Sequence, residues 1–169
     1  MERTLMLVRH AKAGGGDGGG DAERALSELG YEQCRVVARE MSSMGLNPEV
    51  ALVSTARRAK QTFNAMAAAA AWSIEPELVT SLYSGYVEEM LAAVRAAPDT
   101  CSRLMVVGHE PTTSATAYKL AGSGSTPDAV TRVRRGLPTA GVAVIQVDGP
   151  WDSVGLQPTI LRWLLTPLA

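Results

Sequence analysis

The sequence predicts an α/β fold, a three-layer α/β/α sandwich around a mostly parallel central sheet. Three observations predict it. Short, unbroken apolar runs recur at Leu5–Val8, Val50–Val53 and Leu104–Val107, as in strands covered on both faces. Stretches with helical periodicity separate them, and alternation of this kind favours parallel strands with helical crossovers. Each run also stops abruptly at polar, chemically capable residues: Arg9-His10, Ser54-Thr55 and Gly108-His109.

The first strand is Leu5-Met6-Leu7-Val8. Behind Arg9-His10 lies a glycine-rich stretch, Gly14 to Gly20 followed by Asp21, which reads either as a passive connector or as a flap beside the first strand end. Ser27 opens a helix that reaches Met44 with apolar positions at Val37 and Met41; Gly45 suits its C-terminal cap and Pro48 stops continuation. Val50–Val53 is the second strand, and a helix is predicted from Ala56 to about Ala71. Ile74–Val79 is a short extended piece, and Val87–Ala96 a helix ended by Pro98.

The third strand closes on Gly108-His109-Glu110-Pro111, where the proline fits a helix first turn, and that helix runs to Leu120. A polar segment from Gly122 to Asp128 leads to a basic stretch with Arg132, Arg134 and Arg135. Gly141–Val147 is a fourth strand, Asp148-Gly149 a turn signal, and Thr159–Leu165 an antiparallel partner at the sheet edge. Trp72, Trp151 and Trp163 are expected in the core or packed on the sheet. With neither a linker nor a repeat, residues 1–169 are expected to form one domain, of a length that suits a single core.

Composition narrows the function. The formal net charge is −1, so no whole-molecule field favours nucleic acid or an anionic membrane. The three clustered arginines lack aromatic neighbours and read as a solvated rim. No apolar run approaches the ~20 residues of a membrane span, and the opening run is too short for a signal-peptide core. The two cysteines, Cys34 and Cys101, form no Cys-x-x-Cys pair and are expected as buried free thiols. A cytoplasmic monomer without cofactor is the expectation.

Ligands of open α/β sheets bind beyond the carboxyl ends of the strands. Those ends here carry Arg9, His10, Arg58 and His109, and the chain contains no histidine besides these two. Guanidiniums present forked donors matched to phosphate oxygens, and imidazoles serve as nucleophiles or proton carriers near neutrality. The sequence shows no metal-ligand spacing and no phosphate-loop fingerprint. Such a set attracts an oxyanion and can attack it.

These residues resemble a known family. Leu7-Val8-Arg9-His10-Ala11-Lys12 is similar to the Arg-His-Gly/Ala signature of the histidine phosphatase superfamily. Ser54 to Thr62 resembles its second motif, Ser-x-x-x-Arg-Ala-x-Gln-Thr, and Gly108-His109-Glu110-Pro111 its Gly/Ser-His-x-Pro segment. Arg24-Ala25-Leu26-Ser27-Glu28-Leu29-Gly30 and the Leu82-Tyr83 pair resemble the SixA branch, and the likeness spans Leu5 to about Val147.

The resemblance implies a phosphoglycerate mutase-like fold and a phosphatase that needs no metal. His10 would become a transient phosphohistidine while Arg9, Arg58 and His109 hold the phosphoryl oxygens. Motif spacing favours Arg58 over Arg57. Arg24 is expected on the substrate side, or closing the glycine loop, and Thr139 to offer a hydroxyl to the pocket.

Ser81 stands where many relatives carry a glutamate acid, and Glu88 and Glu89 fall at a helix start, where acids sit for dipole reasons. An alcohol leaving group needs an acid more than a phosphoramidate does. The implied reaction is therefore hydrolysis of phosphohistidine on proteins. A small-molecule phosphomonoesterase acting on sugar phosphates is the alternative, and a non-catalytic phosphoprotein-binding module the second alternative.

Overall fold

A computed structural model describes residues 2–15 and 18–167. The six strands are β1 (Glu2–Arg9), β2 (Val50–Ser54), β3 (Glu77–Val79), β4 (Arg103–Gly108), β5 (Val142–Asp148) and β6 (Ile160–Leu165). They form one sheet in the order β3-β2-β4-β1-β5-β6. The first four in that order run parallel, whereas β5 opposes β1 and β6 opposes β5. The helices are α1 (Glu28–Ser43), α2 (Arg57–Ala70), α3 (Ser81–Ser84), α4 (Val87–Arg95), α5 (Thr112–Leu120) and α6 (Pro127–Arg134).

Alternate residues of the strands feed two cores. Leu5, Leu7, Leu104, Val106, Ala143 and Ile145 join Leu91 and Val94 of α4, Ala117 of α5 and Val133 of α6. Met6, Val8, Met105, Val107, Val142 and Val144 join Val37 and Met41 of α1 and Phe63 and Met66 of α2. Burial on both faces explains why the strands read as unbroken apolar runs. α1 begins as predicted: Ser27 Oγ accepts from the Gly30 amide at 3.1 Å and donates to the Lys12 carbonyl at 3.0 Å. Gly30 is required where it stands, because a Cβ there would lie 2.2 Å from the Lys12 carbonyl oxygen.

Two expectations need correction. The polar and basic segment after Gly122 contains a helix, α6, with Pro127 in its first turn and only Ala129 and Val133 buried, too few apolar positions to display a period. Trp163 is 48% exposed on β6, whereas Trp151 is fully buried and donates to the Cys101 carbonyl at 2.9 Å. Cys34 and Cys101 are buried and free, and burial pushes the Cys34 thiol up to about 12. Of the glycine stretch, Gly16 and Asp17 lie outside the described residues. Its flanks are joined: the Gly14 amide donates to the Ala25 carbonyl at 2.9 Å.

Candidate active site

Parallel register places the ends of β1, β4 and β2 on one edge of the sheet, with Arg9 beside Gly108 and Val53 beside Val107. Because β5 runs the other way, the residues that lead into it reach that same edge, and Val8 pairs with Val142. His10 continues this frame: its amide donates to the Gly108 carbonyl at 3.1 Å, and its carbonyl accepts from the Ala140 amide at 3.1 Å. The next residue is anchored too, since the Ala11 amide donates to Thr62 Oγ1 at 2.9 Å and that hydroxyl donates to the Arg58 carbonyl at 2.7 Å.

The imidazole of His10 has a defined tautomer. Nδ1 lies 2.8 Å from the Ala11 carbonyl oxygen, which can only accept, so Nδ1 carries the hydrogen and Nε2 presents a lone pair. Arg58 Nε, 3.3 Å away, points its hydrogen at that nitrogen. Burial above all, then the charges of Arg58, Arg9 and Arg24, lowers the His10 pKa to about 4 against the stabilising bond to Ala11. His10 is thus neutral at pH 7, with a lone pair on Nε2.

Around it stand the other predicted groups. The ring of His109 is centred 5.2 Å from that of His10. Its Nε2 lies 2.7 Å from Ser54 Oγ, which also accepts from the Ala56 amide at 3.2 Å. Burial, followed by His10 and Arg58, lowers the pKa of His109 to about 4 as well. Arg9 donates from Nη1 to the Leu137 carbonyl at 2.8 Å. Arg9 Nε and His109 Nδ1 are buried with no hydrogen-bond partner among the described residues. Buried polar atoms of this kind are costly unless a ligand satisfies them, and an oxyanion accepting from Arg9 would do so. Arg58 is buried to 7% exposure, while Arg57 is exposed.

The remaining predicted residues lie at the border. Arg24 donates from Nε to the Gly14 carbonyl at 3.1 Å and from Nη1 to Asp21 Oδ1 at 3.2 Å, which closes the glycine segment. Thr139 Oγ1 accepts from Gln33 Nε2 at 3.0 Å, and Gln33 Oε1 accepts from the Lys12 amide at 3.0 Å, so α1 ties both strand-end segments together. Ser81 lines a groove between β3 and α4, Glu89 caps the Tyr86 amide at 2.7 Å, and Glu88 faces Lys119 at 3.8 Å.

Sequence reasoning missed Asp21 and Tyr83. The carboxylate of Asp21 pairs with Arg58 at 3.0 Å and accepts from the Tyr83 hydroxyl at 2.9 Å. Tyr83 also stands edge-on to His109, ring centres 5.7 Å apart. A lone aspartate closing a run of glycines carries no local signal of this contact. Among the described residues no cluster of three or more His, Cys, Asp or Glu is placed to hold a metal ion.

Comparison with known proteins agrees with this geometry. The family profile described as histidine phosphatase superfamily (branch 1) matches residues 5–83. An uncharacterized protein of Mycobacterium tuberculosis is 33% identical over 148 residues, covering 87% of this chain and 91% of the relative. The chain belongs to the histidine phosphatase superfamily.

Within it, the chain is similar to SixA structures. A candidate phosphohistidine phosphatase SixA from Nakamurella multipartitia is 30% identical, with a TM-score of 0.88 over 100% of this chain and 98% of that one. Its counterpart from Agrobacterium tumefaciens is 29% identical, with a TM-score of 0.81 over 98% of each chain. The fold is thus that of the phosphoglycerate mutase-like histidine phosphatases, and the chain is a phosphatase by family.

Proposed function

We propose that this phosphatase removes phosphoryl groups from histidines of proteins, as a cytoplasmic, metal-independent monomer, through a covalent phosphohistidine at His10. The observation that carries the reading is the bare Nε2 of a neutral His10 held at 3.3 Å from Arg58 Nε.

The reaction has two steps. His10 Nε2 attacks phosphorus in line and the bond to the leaving group breaks. Nδ1–H stays on the Ala11 carbonyl, so the phosphorylated ring keeps its proton as it takes up the phosphoryl group. Charge that develops on the equatorial oxygens is met by Arg9 and Arg58, whose field in a partly dry site is strong. His109, fixed by Ser54, adds a donor once the phosphoryl dianion raises its pKa from about 4. Water then attacks the phosphohistidine, releasing inorganic phosphate and neutral His10.

Support for the protein substrate comes from the leaving-group side. Glu88 faces Lys119 and Glu89 caps the Tyr86 amide, so neither glutamate is free to act as the acid that Ser81 does not supply. The test compares wild type with His10→Ala on a phosphohistidine-bearing protein and on a panel of phosphate monoesters. Wild type should release phosphate fastest from phosphohistidine and form an acid-labile, alkali-stable phosphoenzyme that His10→Ala lacks. A clear preference for sugar phosphates would assign the small-molecule alternative. Equal turnover by both proteins would remove the enzyme reading in favour of a binding module.

A further inference from the structure

Asp21 sits in a 3-10 turn, Asp21–Glu23, and is built into the phosphoryl site from several sides. Its Oδ2 accepts from Arg58 Nη2 at 3.0 Å and from the Tyr83 hydroxyl at 2.9 Å, and its Oδ1 from Arg24 Nη1 at 3.2 Å. Its backbone carbonyl accepts from Arg58 Nη1 at 2.8 Å. A single guanidinium therefore spans the nucleophile, at Nε, and this carboxylate, at Nη2. The Asp21 side chain is 51% exposed, so it borders both the site and the solvent from which a substrate arrives.

Although paired with Arg58 and Arg24, this half-exposed carboxylate still presents acceptor oxygens where a substrate arrives, which favours a hydrogen-bond donor there over an anionic group. The hydrogen bond from Tyr83 first, then that from Arg58, holds its pKa down to about 2. Asp21 is therefore ionised at neutral pH and cannot protonate a departing alcohol. It can accept a hydrogen bond from a leaving group that brings its own proton.

We propose that Asp21 selects the leaving group, accepting the distal ring N–H of a substrate phosphohistidine while His10 takes the phosphoryl group. The proposal rests on the reading of the protein as a phosphohistidine phosphatase. As the bond from His10 Nε2 to phosphorus forms, the bond from phosphorus to the substrate ring nitrogen breaks, and its electron pair stays on that nitrogen. With the distal N–H retained against Asp21, the ring departs as neutral imidazole and no proton changes hands. Without that proton it would depart as an imidazolate, a far poorer leaving group. A sugar phosphate departs as an alkoxide, which needs a proton that Asp21 does not hold, and a carboxylated substrate meets like charge.

The groups facing Asp21 are Arg58 from α2, Arg24 beyond the turn and Tyr83 from α3, with His10 and His109 across the site. The two arginines keep their charge and the two imidazoles are neutral at pH 7. The proton whose titration Asp21 controls is then the substrate's: an ionised carboxylate raises the pKa of the distal ring nitrogen and keeps the reactive, protonated form to higher pH.

The experiment measures kcat/KM for a phosphohistidine-bearing protein and for p-nitrophenyl phosphate, whose leaving group needs no proton, across the neutral and alkaline range. In Asp21→Asn the ratio of the first to the second should fall roughly tenfold or more, the scale of one charge-assisted hydrogen bond. The alkaline limb of the phosphohistidine profile should move to lower pH. Equal losses on both substrates with the limb unmoved would mean that Asp21 only holds Arg58, and would overturn the proposal. Should Asp21→Asn not fold, Tyr83→Phe loosens the same carboxylate and leaves the turn intact; its ratio should also fall, and an unchanged ratio overturns the proposal. A wild type inactive on phosphohistidine but active on monoesters removes the functional reading and this inference together. A wild type active on phosphohistidine with an unchanged ratio in the variant removes this inference alone.

Discussion

At His10 one hydrogen bond decides which ring nitrogen stays unprotonated, because Nδ1–H on the Ala11 carbonyl leaves the lone pair on Nε2. Neutrality follows from burial above all, then from three nearby guanidiniums. Proton NMR titration of the free protein should find both imidazoles titrating at about 4, and orthovanadate should raise both values; titration near the ordinary 6.5 would contradict the electrostatic account. Arg58→Ala removes the buried guanidinium proposed to hold the phosphoryl group and should lower kcat/KM for p-nitrophenyl phosphate by about 10²- to 10³-fold. Ser54→Ala frees the ring of His109 and should lower kcat by about tenfold with the melting temperature little changed. A kcat equal to that of wild type would assign Ser54 to packing alone.

Helix α1 carries the site from behind. Its Gly30 lets the Lys12 backbone approach, and its Gln33 links Lys12 with Thr139. Gly30→Ala should cost about 1–3 kcal/mol, read by denaturant unfolding, and lower activity as well, because Lys12 is two residues from His10, the proposed nucleophile. Ser27→Ala should cost about 1 kcal/mol, the usual value of an N-cap.

This scale also shows what the sequence could and could not reveal. β1, β2 and β4 were legible because strands buried on both faces read as unbroken apolar runs, and the polar residues at their ends pointed to Arg9, His10, Arg58 and His109. Helix α6 was not, since two buried residues four apart make no pattern. Asp21 was hidden for another reason: its contact with Arg58, 37 residues away, is made only in the folded chain.

The molecule as a whole should feel its two suppressed imidazoles. In the unfolded chain each takes a proton below about 6.5, whereas in the native state each resists until about 4. The unfolded state therefore binds more protons in that window, and stability should fall as pH drops from about 6.5 to 4. Calorimetric melting temperatures across that range, with His109→Asn as the comparison, would show it: the variant should have a flatter profile, and a flat wild-type profile would contradict the shifts. The reversed course of β5 has an architectural consequence. Every other strand bordering the reaction centre delivers its residues on leaving the sheet, but here the chain passes the centre before it enters one. The stretch between α6 and β5 is thereby a second wall of the same centre, with its Leu137 carbonyl holding Arg9 and its Ala140 amide holding the His10 backbone, so any change of length there would be felt at both residues.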